Sequence, residues 1–231
     1  MKNLAGILST AVLLTAGTVW AEDDLSKVTE RLREARTMFH EIMDAKDKSI
    51  PQDLLDRAYC VALIPGLKHG GFIVGAQYGK GFLMCRQTGG GWRGPASVRI
   101  EGGSFGLQIG AGETDLILLV MNKSGAEKMT HSEFKLGGKA EVMAGPVGRS
   151  AQADTDAFMR AEMLGYSRAR GVFAGIELEG STIREDSSDN RALYGRNISN
   201  HDILFEPGLK VAPAGAALAR ELNRYSTWEK K

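Results

Sequence analysis

The chain has 231 residues, 43% of them apolar and 25% charged, which is the make-up of a globular protein able to bury one sizeable core or two small ones. Its 29 basic and 28 acidic side chains leave a formal charge of +1, which excludes the broad basic field of a nucleic-acid binder. The 29 glycines show no three-residue period, which excludes a collagen-like helix; clustered between apolar runs, they mark turns, bulges or close backbone approach.

Residues 1–21 read as a secretory signal. Lys2 gives a positive start, Leu4–Val19 is apolar or small, and Val19-Trp20-Ala21 fits a signal-peptidase site before acidic Glu22-Asp23-Asp24. The alternative is an uncleaved anchor, for which the run is slightly short of the roughly 18–20 apolar residues a span needs. The expectation is a single domain over 22–231, located in the periplasm or cell envelope. Without Lys2 the basic and acidic residues balance at 28 each, so any anion binding must come from a local patch.

The first helix is expected over Leu25–Met43. Leu25, Val28, Leu32, Ala35, Phe39 and Ile42 recur every three or four residues and form one stripe, with Lys27, Glu30, Arg31, Arg33, Glu34 and Arg36 on the other sides. Two readings are open. The stripe packs on a sheet, or the helix lies on a membrane with Arg31, Arg33 and Arg36 against lipid phosphates. After a polar break at Lys46–Ser49, Ser49-Ile50-Pro51-Gln52 resembles a capping box and opens a short helix to Ala58. Cys60–Ile64 is a strand ended by Pro65-Gly66.

Gly70–Met121 is the centre of the chain. Phe72, Val74 and Ala76 alternate with other residues; a Tyr78-Gly79-Lys80-Gly81 turn leads to Phe82–Cys85; Ala96, Val98 and Ile100 alternate, as do Phe105, Leu107, Ile109 and Ala111. Leu116–Met121 is apolar without a break, which suits a strand covered on both faces. Period-two runs bounded by glycine predict an antiparallel meander. Beyond it come a helical turn at Ser124–Met129, strands at Phe134–Leu136, Lys139–Ala144, Leu164–Ser167 and Gly171–Glu177, and helices at Glu185–Tyr194, Ser199–Phe205 and Ala214–Tyr225. The fold class is therefore α+β: a twisted, largely antiparallel sheet, open or partly closed, with N- and C-terminal helices packed on it.

Few residue patterns point to chemistry. Gly102-Gly103-Ser104-Phe105-Gly106 matches G-x-S-x-G, with Asp115, His131 and His201 as conceivable partners, but a nucleophile elbow needs a helix after the serine, and a strand follows here. Gly75–Gly81 is one residue short of a phosphate loop and lacks its Ser/Thr, so no nucleotide is expected. His40, His69, His131 and His201 have no metal-ligand spacing, so neither metal nor other cofactor is expected. Asp53/Asp56 and Asp186/Asp189 suit helix N-termini. Cys60 and Cys85 lie in apolar runs beside the meander; paired in an oxidising compartment, they would close a loop worth about 3 kcal/mol, and two buried thiols are the alternative. Lys68, His69, Lys80, Arg86 and Arg93 cluster near the expected turns, with Arg149, Arg168 and Arg170 later in the chain, and form either an anion patch or solvated turn charges.

Several blocks resemble the SYLF domain family: GGFIVGAQYGKGF, GGWRGPASVRI, GGSFGLQIGAGETDLILLVMN, then AGPVGR, YSRARGVFAGIELEG, and Asn190 with Tyr194-Gly195, in the family's order over about residues 28–205. The resemblance implies phospholipid binding, phosphatidylinositol lipids among them, actin binding in some fungal members, and no enzyme activity. The reading is a non-enzymatic phospholipid-binding protein of the bacterial envelope. An apolar face and local bases would contact anionic lipid, through Arg31, Arg33, Arg36, Phe39, Lys68, His69 and Lys80. The alternative is a structural or protein-interaction module of the periplasm without lipid preference, so a protein partner stays open.

Overall fold

A computed structural model describes residues 16–45, 49–71, 74–87, 89–105, 110–137, 142–147, 158, 161–169, 172–173, 178 and 180–226. The expected signal cleavage segment lies outside these residues up to position 15. So do Phe72, Ile73, Leu107, Ile109, 139–141 and 174–177, which the sequence places in strands.

Among the described residues, nine strands form one curled sheet. They are β1 (Cys60–Gly71), β2 (Val74–Arg86), β3 (Trp92–Phe105), β4 (Gly110–Val120), β5 (Glu133–Lys135), β6 (Val142–Ala144), β7 (Met163–Ala169), β8 (Val172–Phe173) and β9 (Thr182–Glu185). The order is β5-β9-β3-β2-β1-β4-β7-β6, with β8 paired to β7. Every pairing is antiparallel except β6 with β7. The α+β class with an N-terminal and a C-terminal helix on the sheet matches the expectation.

The centre is not a simple meander. β1, β2 and β3 are consecutive neighbours, but β4 pairs with β1, which is the 4-1-2-3 order of a Greek key. The glycine groups do not all turn the chain. β1 continues through Pro65-Gly66 as a bulge, where its register shifts against both neighbours and Gly66 takes a left-handed φ of 59°. Tyr78–Gly81 is the interior of β2, and Gly102-Gly103 lies within β3. These glycines provide closeness: a Cβ on Gly81 would lie 2.8 Å from the Ile64 Cα, and one on Gly79 2.9 Å from the Ile64 and Leu67 side chains. The absence of Cβ atoms lets β2 pack tightly against the bulge.

The central part of the sheet is buried on both faces. Val61 and Leu63 of β1, Phe82 and Met84 of β2, and Ile117 and Leu119 of β4 face one core; Ala62, Ile64, Leu83, Leu116, Leu118 and Val120 face the other. The unbroken run at the end of β4 is thus a strand covered on both sides. The helix α1 (Ala16–Met43) lies over the first core, burying Val28, Leu32, Ala35, Phe39 and Ile42. Each large side chain so buried stabilises the fold by about 1.5–3 kcal/mol. Leu25, expected on this stripe, is 40% exposed. The helix begins nine residues earlier than the pattern predicts and runs across the Ala21–Glu22 bond. Among the described residues no helix is long and apolar enough to cross a membrane.

The short helix α2 (Gln52–Arg57) is entered from Pro51 with no side-chain cap, so the capping box expected at Ser49 does not form. Helix α3 (Lys123–Met129) and helix α5 (Asn200–Phe205) cover the second face through Ala126, Met129, Ile203 and Leu204. Between them in sequence come β9, which the pattern missed, and α4 (Ser187–Tyr194), capped by Asp186 and closed by Gly195 at φ 68°. A 3-10 turn at Pro213–Gly215 precedes α6 (Ala216–Tyr225), whose Leu218 and Leu222 join the first core. Cys60 and Cys85, directly opposed in the β1–β2 register, form a disulfide with their Cα atoms 4.0 Å apart.

Candidate functional site

Where α1 leaves the sheet uncovered, a cleft of about 1260 Å³ opens along the helix. Strand alternation sets its floor. Phe82 and Met84 of β2 face α1, and continuing by twos brings Lys80 and Tyr78 to the same face. Ile117 and Leu119 do likewise for Asp115 and Glu113 of β4. Lys68 of β1 lies between, in register with Tyr78 on one side and Glu113 on the other. Arg31, Arg33, Glu34, Thr37, Met38 and Glu41 of α1 form the wall, and Arg168 of β7 closes one end.

Ion pairs clamp both ends of the cleft. At one, the Arg31 guanidinium reaches Asp189 at 2.5 Å, and the Lys80 ammonium lies 2.7 Å from Asp186 and 3.2 Å from Asp189. Burial alone would lower the Lys80 pKa, but its hydrogen bond to Asp186 and the charges of Asp189 and Asp186 outweigh that and raise it. Burial would likewise raise that of Asp186, but hydrogen bonds from Lys80, Ser188 and the Asp189 amide hold it below the ordinary carboxylate range. At the other end, Arg168 donates to Glu41 at 2.6 Å and to Asp115 at 3.1 Å. Those two carboxylates raise its pKa against the opposing effect of burial. Asp115 also accepts the bulge amide of Gly66 at 3.1 Å.

The expected lipid contacts divide. Arg31, Arg33, Lys68, His69 and Lys80 all border the cleft. His69 does so with the edge of its strand, because its imidazole points to the opposite face and meets Thr114 Oγ1 at 3.0 Å. Arg36 is exposed but lies outside the lining. Phe39 is wholly buried, its ring edge-on to Tyr225 at 5.8 Å. The apolar stripe of α1 is core, so Phe39 is not placed to touch lipid in this packing. The floor residues Tyr78 and Glu113 were not singled out from the sequence; only the period-two phase of β2 and β4 could have placed them beside Lys68.

Other candidate patterns resolve into structure. Arg86 stacks over Trp92 at 4.2 Å and donates to the carbonyls of Ala58 and Leu55, and burial pushes its pKa down to about 10. Arg93 donates to the carbonyls of Glu206 and Leu209. Neither is part of an anion patch. Ser104 sits inside β3 opposite Gly75, an extended backbone and not a sharp strand-to-helix turn. Its conceivable partners are apart: Asp115 is held by Arg168, and His131 and His201 are exposed. The segment resembling a phosphate loop is strand. Among the described residues no group of three or more His, Cys, Asp or Glu side chains is arranged to hold a metal.

Residues 101–225 match the family model Ysc84, described as "Las17-binding protein actin regulator". The chain is similar to LAS seventeen-binding protein 3 of Saccharomyces cerevisiae, 38% identical over 182 residues that cover 77% of this chain and 39% of the yeast protein. Protein YSC84 of the same yeast is 35% identical over 182 residues, covering 77% and 38%. The human SH3 domain-containing YSC84-like protein 1 is 32% identical over 187 residues, covering 80% and 53%. The matches thus span about half or less of these relatives' own lengths. With a family model matching more than half of the chain and relatives above 30% identity across three quarters of it, the chain belongs to the Ysc84, or SYLF, family.

Proposed function

We propose that this chain is a non-enzymatic phospholipid-binding protein of the bacterial envelope, and that the cleft beside α1 receives the anionic headgroup. One observation carries this reading: Arg31, Arg33, Lys68, Lys80 and Arg168, far apart in sequence, line one open cleft. A phosphate entering it competes with carboxylates already present, so binding is modest and depends on ionic strength. The contribution of an apolar face, expected from the sequence, does not come from the stripe of α1, which is buried.

Flotation with vesicles tests the reading. The chain should float with phosphatidylcholine vesicles containing phosphatidylglycerol or phosphatidylinositol, less with phosphatidylcholine alone, and less at high salt. Absence of flotation under all these conditions would end it. The envelope location draws on the N-terminal apolar run and on the Cys60–Cys85 bridge, which suits an oxidising compartment. Mass spectrometry of protein from a periplasmic extract should find Glu22 at the N-terminus.

A second reading is a module that binds a protein without lipid preference. The description of the family model as Las17-binding favours it. It predicts no flotation together with a defined complex in solution.

A further inference from the structure

Two charged side chains at the middle of the cleft stand next to each other without pairing. Lys68 of β1 and Glu113 of β4 are register partners on the face toward α1. The Glu113 carboxylate lies over the bulge, its Oε1 2.5 Å from the point a Cβ would occupy on Gly66. That position is open only because residue 66 is glycine in a left-handed conformation. Neither side chain makes an ion pair or side-chain hydrogen bond among the described residues. The other cleft cations are committed, Arg31 to Asp189, Lys80 to Asp186 and Asp189, Arg168 to Glu41 and Asp115, and Arg33 to Glu30.

The uncommitted charge at the centre of the floor is therefore one ammonium and one carboxylate, on adjoining strands. The phenol of Tyr78, 47% exposed, borders Lys68 on the other side. A ligand carrying phosphate alone meets Lys68 but is repelled by Glu113. A ligand carrying phosphate and a primary amine satisfies both, with N–H donors for the carboxylate. A quaternary ammonium has no such donor. We propose that the cleft selects a phosphate ester bearing a primary amine, with the phosphate at Lys68 and the amine at Glu113. The lipids with this chemistry are phosphatidylethanolamine and phosphatidylserine. The proposal rests on the phospholipid reading above and narrows it.

The test compares vesicles in pairs of equal headgroup charge, using the full chain: phosphatidylserine against phosphatidylglycerol, and phosphatidylethanolamine against phosphatidylcholine, each in a phosphatidylcholine background. Affinity should be higher for the amine-bearing lipid in both pairs, by about two- to fivefold, the worth of one exposed charged contact. Glu113→Gln should abolish that preference and, by removing the repulsion, strengthen phosphatidylglycerol binding; Lys68→Ala should weaken binding to all anionic vesicles. Equal affinities within each pair, or a preference that survives Glu113→Gln, would overturn the proposal while the anionic-versus-neutral contrast still stands. No binding to any vesicle would instead remove the phospholipid reading and this proposal with it. Soluble glycerophosphoethanolamine separates the sources of the chemistry. Weaker binding than to vesicles supports the lipid, and binding as tight as to vesicles would overturn the lipid assignment in favour of a free ester.

Discussion

The Lys80 ammonium lies 2.7 Å from the Asp186 carboxylate, joining the middle of β2 to the cap of α4. Asp186 is nearly buried, and its Oδ1 accepts the Asp189 amide at 3.2 Å. Asp189 in turn holds Arg31 of α1. Two cations, Lys80 and Arg31, thus tie a central strand, a late helix and the first helix together through Asp186 and Asp189, and the cleft inherits its end wall from that knot.

Replacing Lys80 with methionine should cost about 3 kcal/mol, because Asp186 is left buried without its cation. The pH dependence follows from the directions of the shifts. The pKa of Asp186 is held below its ordinary 3.8, so its contribution is complete above that value and lost as pH falls through the lower folded value. That of Lys80 is raised above 10.5, so its contribution is complete below 10.5 and lost as pH rises past the folded value. Denaturant titrations from pH 7 down to pH 2 should show an acid loss that is smaller in Lys80→Met.

The disulfide should matter more to stability than to shape. Replacing Cys60 and Cys85 by serine removes a cross-link across a 25-residue separation and should lower stability by about 3–4 kcal/mol. The far-ultraviolet spectrum should be unchanged below the new melting temperature. Thiol titration of the unfolded, unreduced chain should find no free cysteine.

Gly81→Ala should be among the most damaging exchanges of a strand residue. The added methyl would enter the backbone of β1 at Leu63 and Ile64, where nothing flexible can yield. A loss of about 2–3 kcal/mol is expected by thermal melting. Gly90→Ala, with nothing near its Cβ position but a φ of 93°, should cost less, about 1 kcal/mol.

Phe39→Ala and Lys68→Ala should separate folding from binding. The first empties a fully buried site beside Tyr225 and should cost about 3–5 kcal/mol. The second removes an exposed cation and should change stability by about 0.5 kcal/mol or less. Flotation per folded molecule should fall for Lys68→Ala and hold for Phe39→Ala.

The apolar stripe of α1, the two-sided strand at Leu116–Val120 and the capped helix closed by Gly195 were all legible, because each follows from local periodicity, local chain conformation or side-chain polarity, whereas the opposition of Cys60 and Cys85 came only with the β1–β2 register. The strand breaks were misplaced for a specific reason. Glycine serves equally for turning the chain and for letting two strands touch, and only the neighbour distinguishes the uses. At Gly79 and Gly81 the neighbour is the β1 bulge; at Gly195 it is open solvent.

The bases that border the cleft were nameable from residue type, since Arg31, Arg33, Lys68 and Lys80 are polar residues near apolar elements. Their standing was not. Lys80 became part of a half-buried knot and Phe39 part of the core, while Lys68 remained without an ion-pair partner among the described residues beside a carboxylate 45 positions away. Secondary structure and family membership depend on neighbours along the chain and on blocks of sequence, and so can be read from it. Which charges pair, and which are left facing a cleft, depends on strand order and register. Those were decided when β4 returned beside β1, a long-range pairing set by the burial of both sheet faces together.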